Sequence, residues 1–156
     1  MASSTVTRTK NGYLAIEGSA ATAEEAIRLC GNALSSAGYT LPGFAQGCIE
    51  REKEYPTGIC SEVPVALPHC MSTDIVTNAL CYLRLSEPVE FRRMDDDRVT
   101  VRTRHIFNLA IDRGDHLAFL SRVMGILQDV SVLRSLETMD INEVSEYLRM
   151  RVESEE

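Results

Sequence analysis

Two largely apolar runs, residues 78–85 and 101–111, sit in the second half of this chain with polar turn sequence between them. Runs of this length and composition are strand formers, so the chain must build a sheet around them. A shorter run at 63–67, set among Pro64 and Pro68, is too brief for a helix and is expected to join the same sheet. Ser86, Glu87 and Pro88, and later Asp95, Asp96 and Asp97, mark the polar turn region, with a short edge strand expected at 89–91.

Helical signals flank the strands on both sides. Thr22 and Glu25 have capping-box spacing, Ile27, Cys30, Leu34 and Ala37 follow at helical intervals, and Gly38 supplies a stop, which predicts a helix over 23–37. A second helix is expected from about Pro42, with Phe44, Cys48, Ile49 and Tyr55 on one side. It must end before Pro56, whose ring disfavours helical geometry in the preceding residue, so Arg51 falls in its last turns. Beyond the strands, Asp115 is placed to cap a helix with Leu117, Leu120, Met124 and Leu127 on its buried face and His116 at its N-terminal end. Shorter helices are expected at 130–136 and 141–150.

The order is helices, strands, helices, with no repeat or low-complexity tract, which points to an α/β domain: a single mixed β-sheet flanked by helices. At 156 residues the chain fits one domain, expected to span 13–150, with a flexible N-terminal tail over 1–12 and a C-terminal tail over 151–156.

Five cysteines, at 30, 48, 60, 70 and 81, are odd in number and irregular in spacing, which argues for reduced thiols in the cytoplasm rather than a disulfide framework. Residues 1–12 lack the apolar stretch of a signal peptide, and no run approaches the roughly 20 apolar residues that cross a bilayer. A formal net charge of -7 argues against nucleic acid and anionic lipid as partners. Cys48, Cys60, His69 and Cys70 contain no Cys-x-x-Cys pair and match no common zinc spacing, so no metal or other cofactor is expected. The three aspartates 95–97 read as a solvated turn.

His69 leaves the short strand directly after Pro68, with Arg51 and Thr57 upstream. A neutral imidazole is nucleophilic near pH 7 and also a competent leaving group, so it suits transient phosphoryl carriage. Arg51 offers paired donors to phosphoryl oxygens, although the residues alone favour a surface ion pair with Glu52 or Glu54. Thr57, in Pro56-Thr57-Gly58, is a hydroxyl donor or simply a turn residue. Cys70 raises a rival chemistry, a thiolate activated by His69, but adjacent strand residues point to opposite faces. His105 falls inside a strand, where an imidazole is expected to be packed or edge-exposed rather than catalytic.

Together Arg51-Glu52, Pro56-Thr57-Gly58, Val65-Ala66-Leu67-Pro68 and His69 resemble the IIA components of the bacterial sugar phosphotransferase system, fructose and mannitol superfamily. Cys70 after the histidine and the 95–97 run resemble the galactitol-specific branch. The resemblance covers about 22–148 and implies the mannitol/fructose-type IIA fold, with His69 as the phosphorylated residue, Arg51 beside it, and His116 as the family's second histidine. As a helix-start residue His116 otherwise reads as solvated. The resemblance further implies a phosphotransferase component that takes phosphoryl from the phosphocarrier protein HPr and passes it to a cysteine of a cognate IIB component, with a membrane IIC component binding the sugar. The alternative it leaves open is a regulatory module in which the same phosphorylation controls partner binding.

Overall fold

The computed structural model describes residues 11–70, 72–112 and 116–153, and for His116 the backbone alone. Its elements are β1 (Gly12–Gly18), α1 (Ala23–Ser36), α2 (Phe44–Glu54), β2 (Gly58–Ile59), β3 (Val65–Ala66), β4 (His69–Cys70), β5 (Ala79–Arg92), β6 (Thr100–Ala110), α3 (His116–Leu127), α4 (Val130–Thr138) and α5 (Ile141–Glu153).

One mixed sheet runs in the order β1-β5-β6-β3-β2, and β4 pairs with β6 beside β3. The two expected long strands form its centre as an antiparallel pair, β1 lies parallel to β5, and β3 and β4 lie parallel to β6. Alternation along β5 serves both faces. Leu80 and Tyr82 join Phe107 and Leu109 under α3, α4 and α5, while Ala79, Cys81, Leu83 and Leu85 face α1 and α2. Burial on both sides explains the almost unbroken apolar sequence of this strand. Each fully buried Leu or Phe stabilises the fold by roughly 1.5–3 kcal/mol.

Several expectations change. The 78–85 and 89–91 runs belong to one strand, broken in register between Arg84 and Val89. The 63–67 run is strand only over Val65–Ala66. β1 begins at Gly12 and α5 continues to Glu153, so regular structure enters both expected tails; the expected Asp115 cap lies outside the described residues. Tyr55 ends α2 and is exposed rather than on its buried side. In α3 the buried face is Phe119, Val123, Ile126 and Leu127, while Leu117 is 70% exposed. Apolar residues surround this helix almost completely, so periodicity alone does not fix which side packs.

The helix that carries Arg51 is located by its contacts. The Thr22 hydroxyl accepts from Glu25 N–H, and Glu25 accepts in return from Ala21 N–H, which fixes the start of α1. Gly38, with φ 87°, ends it. A Cβ at Gly31 would stand 2.4 Å from Ala45 Cβ, so only glycine lets α2 cross α1 this closely. At the far end, the Arg92 guanidinium on β5 donates to the carbonyls of Glu52 and Lys53, satisfying the end of α2.

Candidate phosphoryl-transfer site

His69 sits at the start of β4, opposite Leu109 of β6, and is partly buried. The backbone ahead of it is pinned. Pro68 cannot donate, but its carbonyl accepts twice, from Leu109 N–H at 3.0 Å and from the Asn108 side-chain amide at 2.8 Å. One residue earlier, Leu67 N–H reaches the Thr57 hydroxyl at 3.1 Å and the Thr57 carbonyl at 3.3 Å.

The Leu67 carbonyl in turn lies 2.7 Å from His69 Nδ1. A carbonyl only accepts, so Nδ1 carries the proton and Nε2 keeps its lone pair. Burial pushes the imidazole below its ordinary pKa, the Leu67 hydrogen bond opposes this, and the Arg51 charge adds to the downward shift. His69 is therefore neutral at pH 7, the form a phosphoryl acceptor requires.

Thr57 is buried, and its hydroxyl is committed on both sides. It donates to the Glu52 carboxylate, at 3.0 and 3.2 Å to the two oxygens, and accepts from Leu67; the Thr57 N–H also donates to Glu52, at 2.8 Å. Glu52, Thr57, Leu67 and His69 thus form one connected set from α2 to β4. Burial raises the Glu52 pKa against the lowering effect of its Thr57 bonds and of the Arg92 and Arg51 charges.

Arg51, on the last turn of α2, is exposed, and its guanidinium lies over the Tyr55 ring at 4.9 Å from the centroid. Among the described residues it makes no ion pair with Glu52 or Glu54, so its donors stay available. Its charge acts on both His69 and Cys70. The structure therefore brings Arg51, Thr57 and His69 into one neighbourhood. His116 is the first residue of α3, but its side chain lies outside the described residues.

Cys70 packs into the core beneath α1 and α2, as adjacent strand residues should. All five cysteines are free thiols. The Asp95, Asp96 and Asp97 carboxylates pair with Arg93, Arg98 and Arg92 respectively, and among the described residues no group of three or more His, Cys, Asp or Glu is arranged to hold a metal ion. His105 is 3% exposed, stacked on Tyr82, with Nδ1 2.6 Å from the tyrosine hydroxyl and Nε2 3.5 Å from Glu137.

Sequence reading missed two contributors to this site. Asn108 carried one usable signal: an amide inside the apolar 106–111 run, which once buried must find a partner. The Leu67 carbonyl carried none, because any residue supplies one.

Known proteins resemble this chain over most of its length. Residues 9–150 match the family described as "Phosphoenolpyruvate-dependent sugar phosphotransferase system, EIIA 2". The galactitol-specific EIIA component of Escherichia coli K12 is 29% identical over 124 residues, covering 79% of this chain and 83% of that protein. The mannitol-specific EIICBA component of the same strain is 30% identical over 134 residues, 85% of this chain but 20% of the relative. Among solved structures, the complex of enzyme IIAMTL with phosphorylated enzyme IIBMTL from Escherichia coli superposes with a TM-score of 0.68 at 29% identity, covering 84% of this chain and 90% of that one.

Proposed function

The chain belongs to the EIIA 2 family of the phosphoenolpyruvate-dependent sugar phosphotransferase system, and from that premise we propose that it is a phosphocarrier working through Nε2 of His69. The observation that carries this reading is the 2.7 Å contact between Nδ1 and the Leu67 carbonyl, which leaves the other nitrogen as the nucleophile.

In the forward step the Nε2 lone pair attacks phosphorus on the phosphohistidine of HPr. The new P–N bond forms as the donor's P–N bond breaks, and the donor imidazole keeps the electron pair. Positive charge then spreads over the His69 ring, which strengthens the Nδ1–H donation to Leu67. Arg51 meets the charge on the equatorial oxygens, the main electrostatic task in phosphoryl transfer. Thr57 acts through Leu67 as a positioning residue, and His116 at the start of α3 is the second donor toward the phosphoryl group.

In the second step a cysteine thiolate of a IIB component displaces the imidazole. A solved relative is a IIA protein in complex with a phosphorylated IIB, which supports a IIB partner for this chain. The EIICBA relative supports an indirect link to a membrane IIC component. Similarity to a galactitol-specific component favours galactitol as the sugar. The free thiols fit action in the reducing cytoplasm, and no described helix is long and apolar enough to cross a membrane.

The test is incubation with phosphoenolpyruvate, enzyme I and HPr, followed by mass measurement. One acid-labile phosphoryl group on the parent and none on folded His69→Ala is expected; an equal load on the variant would overturn the reading. Onward transfer to a galactitol-type IIB separates a carrier from a purely regulatory module.

A further inference from the structure

β1 stops at Gly18 while its neighbour β5 runs on to Arg92, so past Gly18 that edge of β5 has no strand beside it. On its other side β5 loses register with β6 between Arg84 and Val89. A break of this kind re-aims the side chains around it. Here lies a cavity of about 370 Å³ whose polar side chains are Glu17, Ser19, Arg84, Ser86 and Arg104. The two guanidiniums in it are held differently. Arg84 is 9% exposed and nearly used up: Nη1 donates to the carbonyls of Leu136 and Met139, and Nε and Nη2 both donate to Oε2 of Glu17, which leaves a single Nη2 hydrogen over. Arg104 is half-buried and fixed through Nε, which donates to the Leu85 carbonyl at 2.7 Å; among the described residues neither of its Nη groups has a partner and it makes no ion pair. The one carboxylate of the cavity, Glu17, is taken by Arg84. A positive charge is thus left uncompensated inside a chain whose formal net charge is -7.

We propose that this cavity binds a small phosphomonoester whose body carries a hydroxyl group. The free guanidinium of Arg104 calls for an anion, and its two Nη groups offer paired donors of the kind that phosphate oxygens accept. The remaining donors come from other elements: the last Nη2 hydrogen of Arg84 on β5, and the hydroxyls of Ser19 after β1 and Ser86 on β5, which are exposed and have no partner among the described residues. Donors arriving from three strands suit a tetrahedral phosphate, with its several acceptor oxygens, better than a planar carboxylate.

A bare phosphate ion leaves much of the cavity empty, so there is room for the body of an ester. Glu17 specifies that body. Both Arg84 bonds fall on its Oε2, and Oε1 accepts none among the described residues, so it is open to a hydroxyl. No bond is made or broken at this site and His69 takes no part, so the proposal stands apart from phosphoryl transfer.

The experiment titrates the ¹⁵N-labelled full chain with glycerol 3-phosphate, inorganic phosphate and acetate at constant pH and ionic strength, following backbone amides by NMR. Expected are saturable shifts centred on Gly18, Ser19 and Ser86, with glycerol 3-phosphate binding more tightly than inorganic phosphate. Arg104→Gln should weaken binding by about tenfold or more, as loss of a pair of charge-assisted donors does, while its urea unfolding stays close to that of the parent. Ser19→Asp places a carboxylate at an exposed position of the same cavity, leaves both guanidiniums in place, and should weaken binding as well. The proposal is overturned if none of these amides shifts saturably, if either folded variant binds as tightly as the parent, if acetate or inorganic phosphate binds as tightly as the ester, or if the shifts gather around Arg51 and His69 instead.

Discussion

The Leu67 amide nitrogen lies 3.1 Å from the Thr57 hydroxyl oxygen, and this bond couples the Glu52 carboxylate on α2 to the residue whose carbonyl orients His69. The imidazole is thus set from the helix side as well as from its own strand.

Thr57→Val keeps the shape and removes the hydroxyl, leaving Leu67 N–H with only the longer Thr57 carbonyl contact and Glu52 with one donor fewer. Losing a buried hydrogen bond of this kind costs about 1–3 kcal/mol. Phosphoryl acceptance should fall by roughly tenfold, the equivalent of about 1.4 kcal/mol on the barrier, while Thr57→Ser retains most of it. Single-turnover phosphorylation from HPr, with urea unfolding in parallel, tests this. Equal rates for the valine and serine variants would show that the hydroxyl does not act through Leu67.

Arg51→Ala removes a cation that makes no ion pair among the described residues, so folding stability should change by no more than about 0.5 kcal/mol. Phosphoryl acceptance should fall by roughly a hundredfold or more, as for loss of one strong transition-state donor, and Arg51→Lys should recover only part of it. A stability loss that accounts for the rate loss would assign Arg51 a structural role.

Acid should inhibit later than an ordinary histidine predicts. Protonation of Nε2 blocks attack, and the folded His69 pKa lies below 6.5, so the rate holds as pH falls through 6.5 and drops only at lower pH. Replacing Arg51 by Ala removes one of the lowering influences and should move the drop upward. Rapid-quench phosphorylation across pH 5 to 8 with donor in excess reads both profiles. An Arg51→Ala profile falling at lower pH than the parent would contradict the assignment.

His105 makes stability itself pH-dependent. Burial, its largest influence, lowers its pKa despite the Glu137 partner, so the unfolded chain takes up the proton first as pH falls below 6.5. Stability is then fully present above 6.5 and is lost as pH falls toward the folded pKa. Unfolding of the parent and of His105→Gln in urea at pH 7.5 and 5.5 should show the smaller acid loss in the variant. A larger loss in the variant would mean that the protonated ring is held by Glu137 after all.

Much of the architecture was legible in the sequence because β5 and β6 are central strands whose burial shows in composition. β1 was not. It lies at the sheet edge with mostly half-buried residues, only Gly12 of it falls in the expected tail, and no element was expected over 13–18; its parallel register with β5 is what identifies it. The buried side of α3 was lost for the opposite reason, since Leu117, Phe119, Leu120 and Val123 offer two apolar faces and only the sheet beneath chooses between them. At the site, Arg51, Thr57 and His69 stood out as residue types suited to phosphoryl chemistry. What joins them is a backbone carbonyl at Leu67 and a hydroxyl already taken by Glu52, and neither leaves a mark in the order of residues.

The most direct measurement is long-range ¹H–¹⁵N correlation NMR of His69 before and after phosphorylation by HPr. The proton should be on Nδ1 in the free protein and remain there in the phosphorylated one, with phosphorus coupled to Nε2. Phosphorus on Nδ1, or a free protein with its proton on Nε2, would contradict the orientation set by the Leu67 carbonyl and with it this account of the site.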